Sequence, residues 1–363
     1  MTMVTLAKLY AFVVGVDTHA RTHTYTVLTA EREHIDTATF PNTQPGRSRA
    51  IAWVGRRTGG DLATLWVIEG TGSYGALLAG LAQGSGYDVI EAPRVIDYAR
   101  ARTRVGKSDP IDARAIATAA VLLEPAQQRI PRHGAGARAG LRVLLGAREH
   151  MTFERTAKVN ALTALLRSVD LGVDARSALS PPQLRRISQW RKRDEDLSIA
   201  IARTEAKRLA QLITVLDAEL KENQTHLTEL LQATPAGVLL DEVGIGPVNA
   251  AILYTAWSHR GRVRSEAAFA TLAGVNPIPA SSGNTIRHRL NRGGDRCLNS
   301  ALHMAVVVRT AHDPTTREYV ARRTAEGKSP REIRRCLKRY LARALYRKLN
   351  AVHRIAESTD IAA

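Results

Sequence analysis

The chain has 363 residues, enough for two or three domains with real cores, and its 44% hydrophobic content is that of an ordinary globular protein. Fifty-two Lys and Arg against 34 Asp and Glu leave a net charge of +18, which points to a polyanionic partner, nucleic acid ahead of an anionic membrane surface. Cys297 and Cys336 fit neither a zinc knuckle nor a disulfide framework, and no run of about 18 uncharged apolar residues exists, so a reducing, cytoplasmic setting without a membrane span is expected.

The N-terminal stretch MTMVTLAKLYAFVVGVD is apolar but short, and Asp17 interrupts it. It reads as the lead-in to a core strand and not as a signal peptide. Val13 to Val16 form a buried strand that delivers Asp17 at its end. The chain turns through Thr18-His19-Ala20-Arg21 and runs back as an alternating strand from Thr22 to Leu28. A third strand over 31–40 and a helix over about 45–57 follow. Residues 64–69 form an apolar strand with Glu69 at its C-terminal end, and Gly70-Thr71-Gly72-Ser73-Tyr74-Gly75 turns into a further helix. A fifth strand covers 87–91. Strands alternating with helices argue for an α/β domain with a mixed sheet.

Residues 94–108 are basic and lack a clear stop. Ser108 is an N-cap candidate for a helix that opens Asp109-Pro110-Ile111-Asp112, with Pro in its first turn. Asp109 and Asp112 stand three apart and therefore share one face. This first domain is expected to cover residues 1–135.

Residues 136–232 read as helical throughout, with Pro181-Pro182 breaking the run. Leu209, Leu212, Leu216, Leu220, Leu227 and Leu230 keep near-heptad spacing. That stripe fits an antiparallel hairpin or coiled coil for self-association, and it fits equally a helical linker packed on its own domains.

Residues 233–363 form the third segment and read as mainly helical. Val243-Gly244-Ile245-Gly246-Pro247 enters a helix, and such a turn aims backbone N–H groups at a phosphate. A plain helix–turn–helix joint explains Gly244 and Gly246 as well. Ala280-Ser281-Ser282-Gly283-Asn284-Thr285-Ile286-Arg287-His288-Arg289 is a small, polar and basic loop, and Arg292-Gly293-Gly294 leads into another helix. The tail at 331–348 carries eight basic residues and one acid, which reads as a phosphate-contacting face.

Asp17, Glu69, Asp109 and Asp112 make the one constellation with a clear chemistry. Two come from strand ends and two from one helix face, and all are hard oxygen ligands suited to Mg²⁺, with Mn²⁺ as an alternative. Two such ions about 3.5–4 Å apart can activate one oxygen and stabilise another in phosphoryl transfer. The Gly-rich turn after Glu69 lacks the Gly-Lys-Ser/Thr ending of a P-loop, so it is read as the turn that lets Glu69 face a cleft.

Three stretches, VGVDTHARTHTYTVL, VIEGTGSYG and RVGKSDPIDARAIA, resemble the signatures of the DEDD transposases of bacterial insertion sequences. GIGPVNAAIL, FATLAGVNPIP and the Ser-Gly loop followed by Arg292-Gly293-Gly294 resemble that family's C-terminal transposase domain. The resemblance implies a RuvC-like, RNase H-type first domain whose acids Asp17, Glu69, Asp109 and Asp112 hold Mg²⁺. It implies a nucleophilic serine, which aligns best with Ser282, with Ser281 adjacent, and a phosphoserine intermediate during strand exchange. Arg287, His288, Arg289 and Arg292 are candidates to neutralise the phosphate. The Gly244–Gly246 turn resembles a helix-hairpin-helix contact to a nucleic-acid backbone. The family also implies donor and target DNA, a bridge RNA as guide, a dimer or tetramer that pairs the acids of one subunit with the serine of another, and a nucleoid-associated bacterial location. Two other readings are a RuvC-like junction nuclease, in which Ser282 is only structural, and a nucleic-acid-binding protein without catalysis. The presence of all four acids argues against the last.

Overall fold

The computed structural model describes residues 5–93, 108–132, 136–280 and 288–362. They fall into two compact units: residues 1–134 with the returning segment 258–264, and residues 135–257 with 265–363. No helix among the described residues is long and apolar enough to cross a membrane.

The first unit is built on a five-stranded sheet of β1 (Phe12–Thr18), β2 (Thr22–Thr29), β3 (His34–Pro41), β4 (Thr64–Ile68) and β5 (Asp88–Glu91). The strand order is β3-β2-β1-β4-β5. β1 pairs antiparallel with β2, and β2 with β3, while β4 and β5 run parallel to β1. The sheet is therefore mixed, as the alternation of strands and helices predicts.

The period of two sorts the side chains of β1 onto two faces. Val14 and Val16, with Tyr25, Val27, Trp66 and Ile68, pack against α1 (Gln44–Arg57) and α2 (Ala76–Gly84). Val13, with Leu28, Leu65, Val67 and Ile90, packs against α3 (Asp109–Val121). The sheet thus has helices on both faces and apolar strands to match. β4 is buried at all five positions, which is why it reads as a continuous apolar run.

The second unit is mostly helical. Its long helices α4 (Gly136–Ser168) and α6 (Leu197–Gln232) pair antiparallel. Asn223 Nδ2 donates to Leu144 O at 3.0 Å, Arg148 donates to Leu220 O at 2.9 Å, and Arg155 pairs with Asp217. Leu209, Leu216 and Leu227 of the predicted stripe are buried. Pro181-Pro182 does not simply break the run. The two prolines open α5 (Pro181–Ser188), where missing N–H groups cost nothing, behind the cap Ser180. α7 (Pro247–Trp257), α8 (Glu266–Leu272), α9 (Arg296–His312), α10 (Pro314–Ala325) and α11 (Pro330–Ala362) complete the unit, with a two-stranded ribbon of β6 (Ile278–Pro279) and β7 (His288–Arg289).

Candidate active site

Asp17 is placed by the sheet. It lies on the same side of β1 as Val13 and Gly15, so it faces α3, and it is only 5% exposed. Its cross-strand partner is Thr24, whose hydroxyl is bonded to that of Thr39 at 2.9 Å.

The approach of α3 depends on Gly15. A Cβ there would lie 2.1 Å from Ala113 O, 2.6 Å from Ala117 N and 2.8 Å from Ala117 Cβ. Helix backbone therefore rests directly on strand backbone at this point. The small residues Ala113, Ala117 and Ala120 on the buried side of α3 allow it. One turn further toward its N-terminus the same helix carries Asp112 and Asp109, which this contact brings to the end of β1.

The structure groups Asp17, His19 and Asp109, with one ligand atom from each inside 4.8 Å of the others. His19 Nε2 lies 3.2 Å from Asp17 Oδ2 and 3.6 Å from Asp109 Oδ1. Burial pushes the Asp17 carboxyl above its ordinary range, the negative charges of Asp112 and Asp109 push it the same way, and His19 opposes them. Asp112 is half-buried and Asp109 exposed.

Glu69 takes a different place. Its N–H donates to Val16 O at 3.1 Å and its carbonyl accepts from Thr18 Oγ1 at 3.0 Å, so its backbone is fixed beside the end of β1. Its side chain is exposed and stands outside the 4.8 Å group. The turn at 70–75 folds back on it through Gly75 N–H to Gly70 O at 3.1 Å.

His19 is the residue that the sequence left without a role. The signal was its position two beyond Asp17, just past the strand end. His19 and His23 stand four apart, but they sit in a strand–turn–strand and not on a helix face, and among the described residues His23 does not join the group of Asp17, His19 and Asp109. His23 points to the opposite side of the sheet, where its ring lies edge-on to Tyr25 and its Nε2 is buried. Burial lowers its affinity for a proton below the usual histidine range.

In the second unit, Ser281, Ser282 and Arg287 lie outside the described residues. The flanks of their loop are defined. Ile278 pairs with Arg289 and Pro279 with His288, so the loop is the connection of a short antiparallel ribbon. Asn291 Nδ2 donates to Asn276 Oδ1 at 2.7 Å, and Asp295 N–H to Leu272 O at 2.7 Å, tying its base. Arg289 and Arg292 are exposed and line an open cleft of about 470 Å³ with Ile278, Leu290, Asn291 and Gly293.

Gly244 is required by packing. It has φ +80°, and a Cβ would meet Ala305 O of α9 at 2.7 Å. Gly246 has open space around it and is exposed just before α7.

The basic tail is not one free phosphate face. Arg343 and Arg347 pair with Glu266, Lys348 Nζ lies 2.7 Å from Glu242 Oε1, and Lys338 donates to Asn299 Oδ1 at 2.9 Å. Those cations hold α11 to two acids, Glu266 and Glu242, and to the Asn299 amide of its own unit. Arg331, Arg334 and Arg335 remain exposed.

Comparison with known proteins places this arrangement. A family model for the DEDD domain of IS110 elements, described as a transposase, matches residues 14–170 and so contains all four acids. A second, described as the IS116/IS110/IS902 transposase family, matches residues 237–321 and contains the serine loop. The class is thus that of insertion-sequence transposases with an acidic N-terminal domain. The chain belongs to the IS110 family of transposases. It is 26% identical over 360 residues to the 42 kDa protein of insertion element IS900 of Mycobacterium paratuberculosis, covering 86% of this chain and 89% of that protein. It is 29% identical over 123 residues to the 43.6 kDa protein of insertion element IS110 of Streptomyces coelicolor, covering 33% of this chain and 30% of that protein.

Proposed function

We propose that the protein excises and integrates its own insertion sequence by metal-assisted strand cleavage and exchange through a phosphoserine intermediate, guided by a bridge RNA. The observation that carries the reading is the meeting of Asp17 and Asp109 at the carboxyl end of β1, with Asp112 close enough to raise the Asp17 carboxyl. The strand order β3-β2-β1-β4-β5, antiparallel then parallel, supports an RNase H-type, RuvC-like first domain over 1–135. In this reading residues 136–232 build a dimer or tetramer, and 233–363 present the serine.

The donor set fits a divalent cation. A carboxylate only 5% exposed beside two more is costly unless a cation joins it. Asp17 and Asp109, with Asp112 and Glu69 at the margin, would hold Mg²⁺ or Mn²⁺. When bound, such an ion supplies charge to neutralise the phosphate and lowers the proton affinity of an attached oxygen. The protein's part is to position these groups on rigid elements. Ser282 Oγ attacks phosphorus, a P–Oγ bond forms, and the bond from phosphorus to the leaving strand's oxygen breaks. The serine gives up its proton, and the leaving oxygen gains one. Arg287, Arg289 and Arg292 offer the positive charge that the phosphate needs. The net charge of +18 supports a load of both DNA and guide RNA.

The test is covalent trapping. Protein, the element's transcript, Mg²⁺ and end-labelled donor DNA are mixed, denatured in detergent and run on a gel. A labelled adduct that Ser282→Ala and Asp17→Asn abolish, and Ser281→Ala retains, is the expected result. Free cleaved ends with no adduct, and full activity in both serine variants, would leave the junction nuclease instead.

A further inference from the structure

We propose that His19 is a nitrogen ligand of the acidic site, so that its mixed oxygen–nitrogen donor set holds a first-row transition ion such as Mn²⁺ in preference to Mg²⁺. The proposal rests on the reading that these acids hold a divalent metal.

The first argument is spacing. His19 Nε2 stands 3.2 Å from Asp17 Oδ2 and 3.6 Å from Asp109 Oδ1. Neighbouring ligands of one octahedral ion, each at about 2.0–2.2 Å, are about 3 Å apart. His19 Nε2 already lies near that separation from one oxygen of each carboxylate. The three residues also come from three different elements: the end of β1, the turn after it, and the first turn of α3. Asp17 and His19 are neighbours in sequence, but Asp109 reaches them on α3 from about 90 residues further along the chain.

The second argument is support. The His19 backbone is held by N–H bonds to Thr22 O at 3.0 Å and to His23 Nδ1 at 3.3 Å. Asn42 Nδ2 reaches the carbonyls of His19 and Ala20 at 3.5 and 3.4 Å, while Asn42 Oδ1 accepts from Arg47 at 2.7 Å. The turn that presents the imidazole is thus braced from β2 and from the β3–α1 connection. These bonds fix the backbone from which the imidazole projects.

The third argument is chemistry. Carboxylates alone suit Mg²⁺, which is hard and reluctant to lose water. An imidazole shifts the preference toward first-row transition ions. The competing role for His19 is a hydrogen-bond donor to Asp17, and the two roles exclude each other, because the same nitrogen is involved. A donor carries a proton on Nε2, whereas a ligand offers it as a bare lone pair.

That exclusion makes the test. Full-length protein is titrated with Mn²⁺ and followed by electron spin resonance, with electron-spin-echo modulation used to detect a coordinated imidazole ¹⁴N. The wild type is expected to show the nitrogen modulation, and Asp17→Asn to lose Mn²⁺ binding. His19→Gln keeps a donor but offers no imidazole. It is expected to lose the modulation and to weaken Mn²⁺ by at least the roughly 10–100-fold that losing even an outer partner costs, with a smaller change for Mg²⁺ in competition. Bound Mn²⁺ without modulation in the wild type, or modulation that survives His19→Gln, overturns the ligand role while leaving the acidic site intact. No specific Mn²⁺ in the wild type, with Asp17→Asn unchanged, overturns the metal reading beneath it.

Discussion

Gly15→Ala is the substitution that most directly probes how the acidic site is assembled. The added Cβ would sit 2.1 Å from Ala113 O and 2.6 Å from Ala117 N. Restoring a carbon contact of about 3.5 Å to the nearer atom moves α3 outward by about 1.4 Å. Overpacking of this kind costs about 1–3 kcal/mol. The larger effect falls on the site, because Asp109 and Asp112 ride on the displaced helix while Asp17 stays on the sheet. A misplacement of about 1 Å lowers rate on the order of 100-fold. The assay pairs urea denaturation with strand cleavage on donor DNA. The expected result is a folded protein, modestly destabilised, with cleavage reduced far more than stability. Adding Ala117→Gly removes only the 2.8 Å side-chain contact, so it restores little. Wild-type stability and wild-type cleavage in Gly15→Ala would refute the claim that backbone contact between β1 and α3 sets the spacing of the acids.

Asp17→Asn is expected to abolish strand cleavage while leaving the metal-free melting temperature unchanged or higher, because a neutral amide removes a buried charge crowded by Asp112 and Asp109. Glu91 pairs with Arg262 at 2.9 Å, both largely buried, and Thr71 Oγ1 adds a bond at 3.1 Å. Arg262→Ala should therefore cost about 3 kcal/mol in urea denaturation, and the double variant with Glu91→Gln less than the sum. For Glu242, burial pushes the carboxyl up, but bonds from Lys348 and Arg309 outweigh it and hold it below the ordinary range. Its folded value is depressed, so its stabilisation is present above the unfolded value and is lost as pH falls through the folded one. Acid titration of stability should flatten below about pH 4.5 in Glu242→Gln. Arg289→Ala and Arg292→Ala should each weaken DNA binding across sequences alike and lower the salt slope by about one.

The carboxylate at the end of β1 was legible because a strand repeats every two residues and Val13, Gly15 and Asp17 share a face whatever the rest of the chain does. The helical pairing of α4 and α6 was legible for the same reason at the longer period. The basic tail was not. Eight positive charges look alike in sequence, and only the fold reveals that Arg343 and Arg347 meet Glu266 and Lys348 meets Glu242, partners roughly 80–100 residues away. His19 escaped because a single histidine in a turn has no period to betray it. Its meaning depends on α3, about 90 residues on, arriving at the right height.

That arrival separates the four acids into two kinds. Asp17 and Asp109 converge because Gly15 and the alanines of α3 let two backbones touch, a contact selected by small side chains and not by charge. Glu69 is placed by β4 running parallel to β1, through backbone bonds to Val16 and from Thr18, and its side chain is left exposed. Packing therefore fixes the inner pair at a cost to the fold, since three carboxylates repel one another around one half-exposed imidazole. An apolar residue in place of Asp17 would be the more stable choice for that sheet end. On the metal reading proposed above, a sequence that keeps the repulsive arrangement, and builds a strand, a tight turn and a close-packed helix to hold it, is organised around the cation that offsets the repulsion.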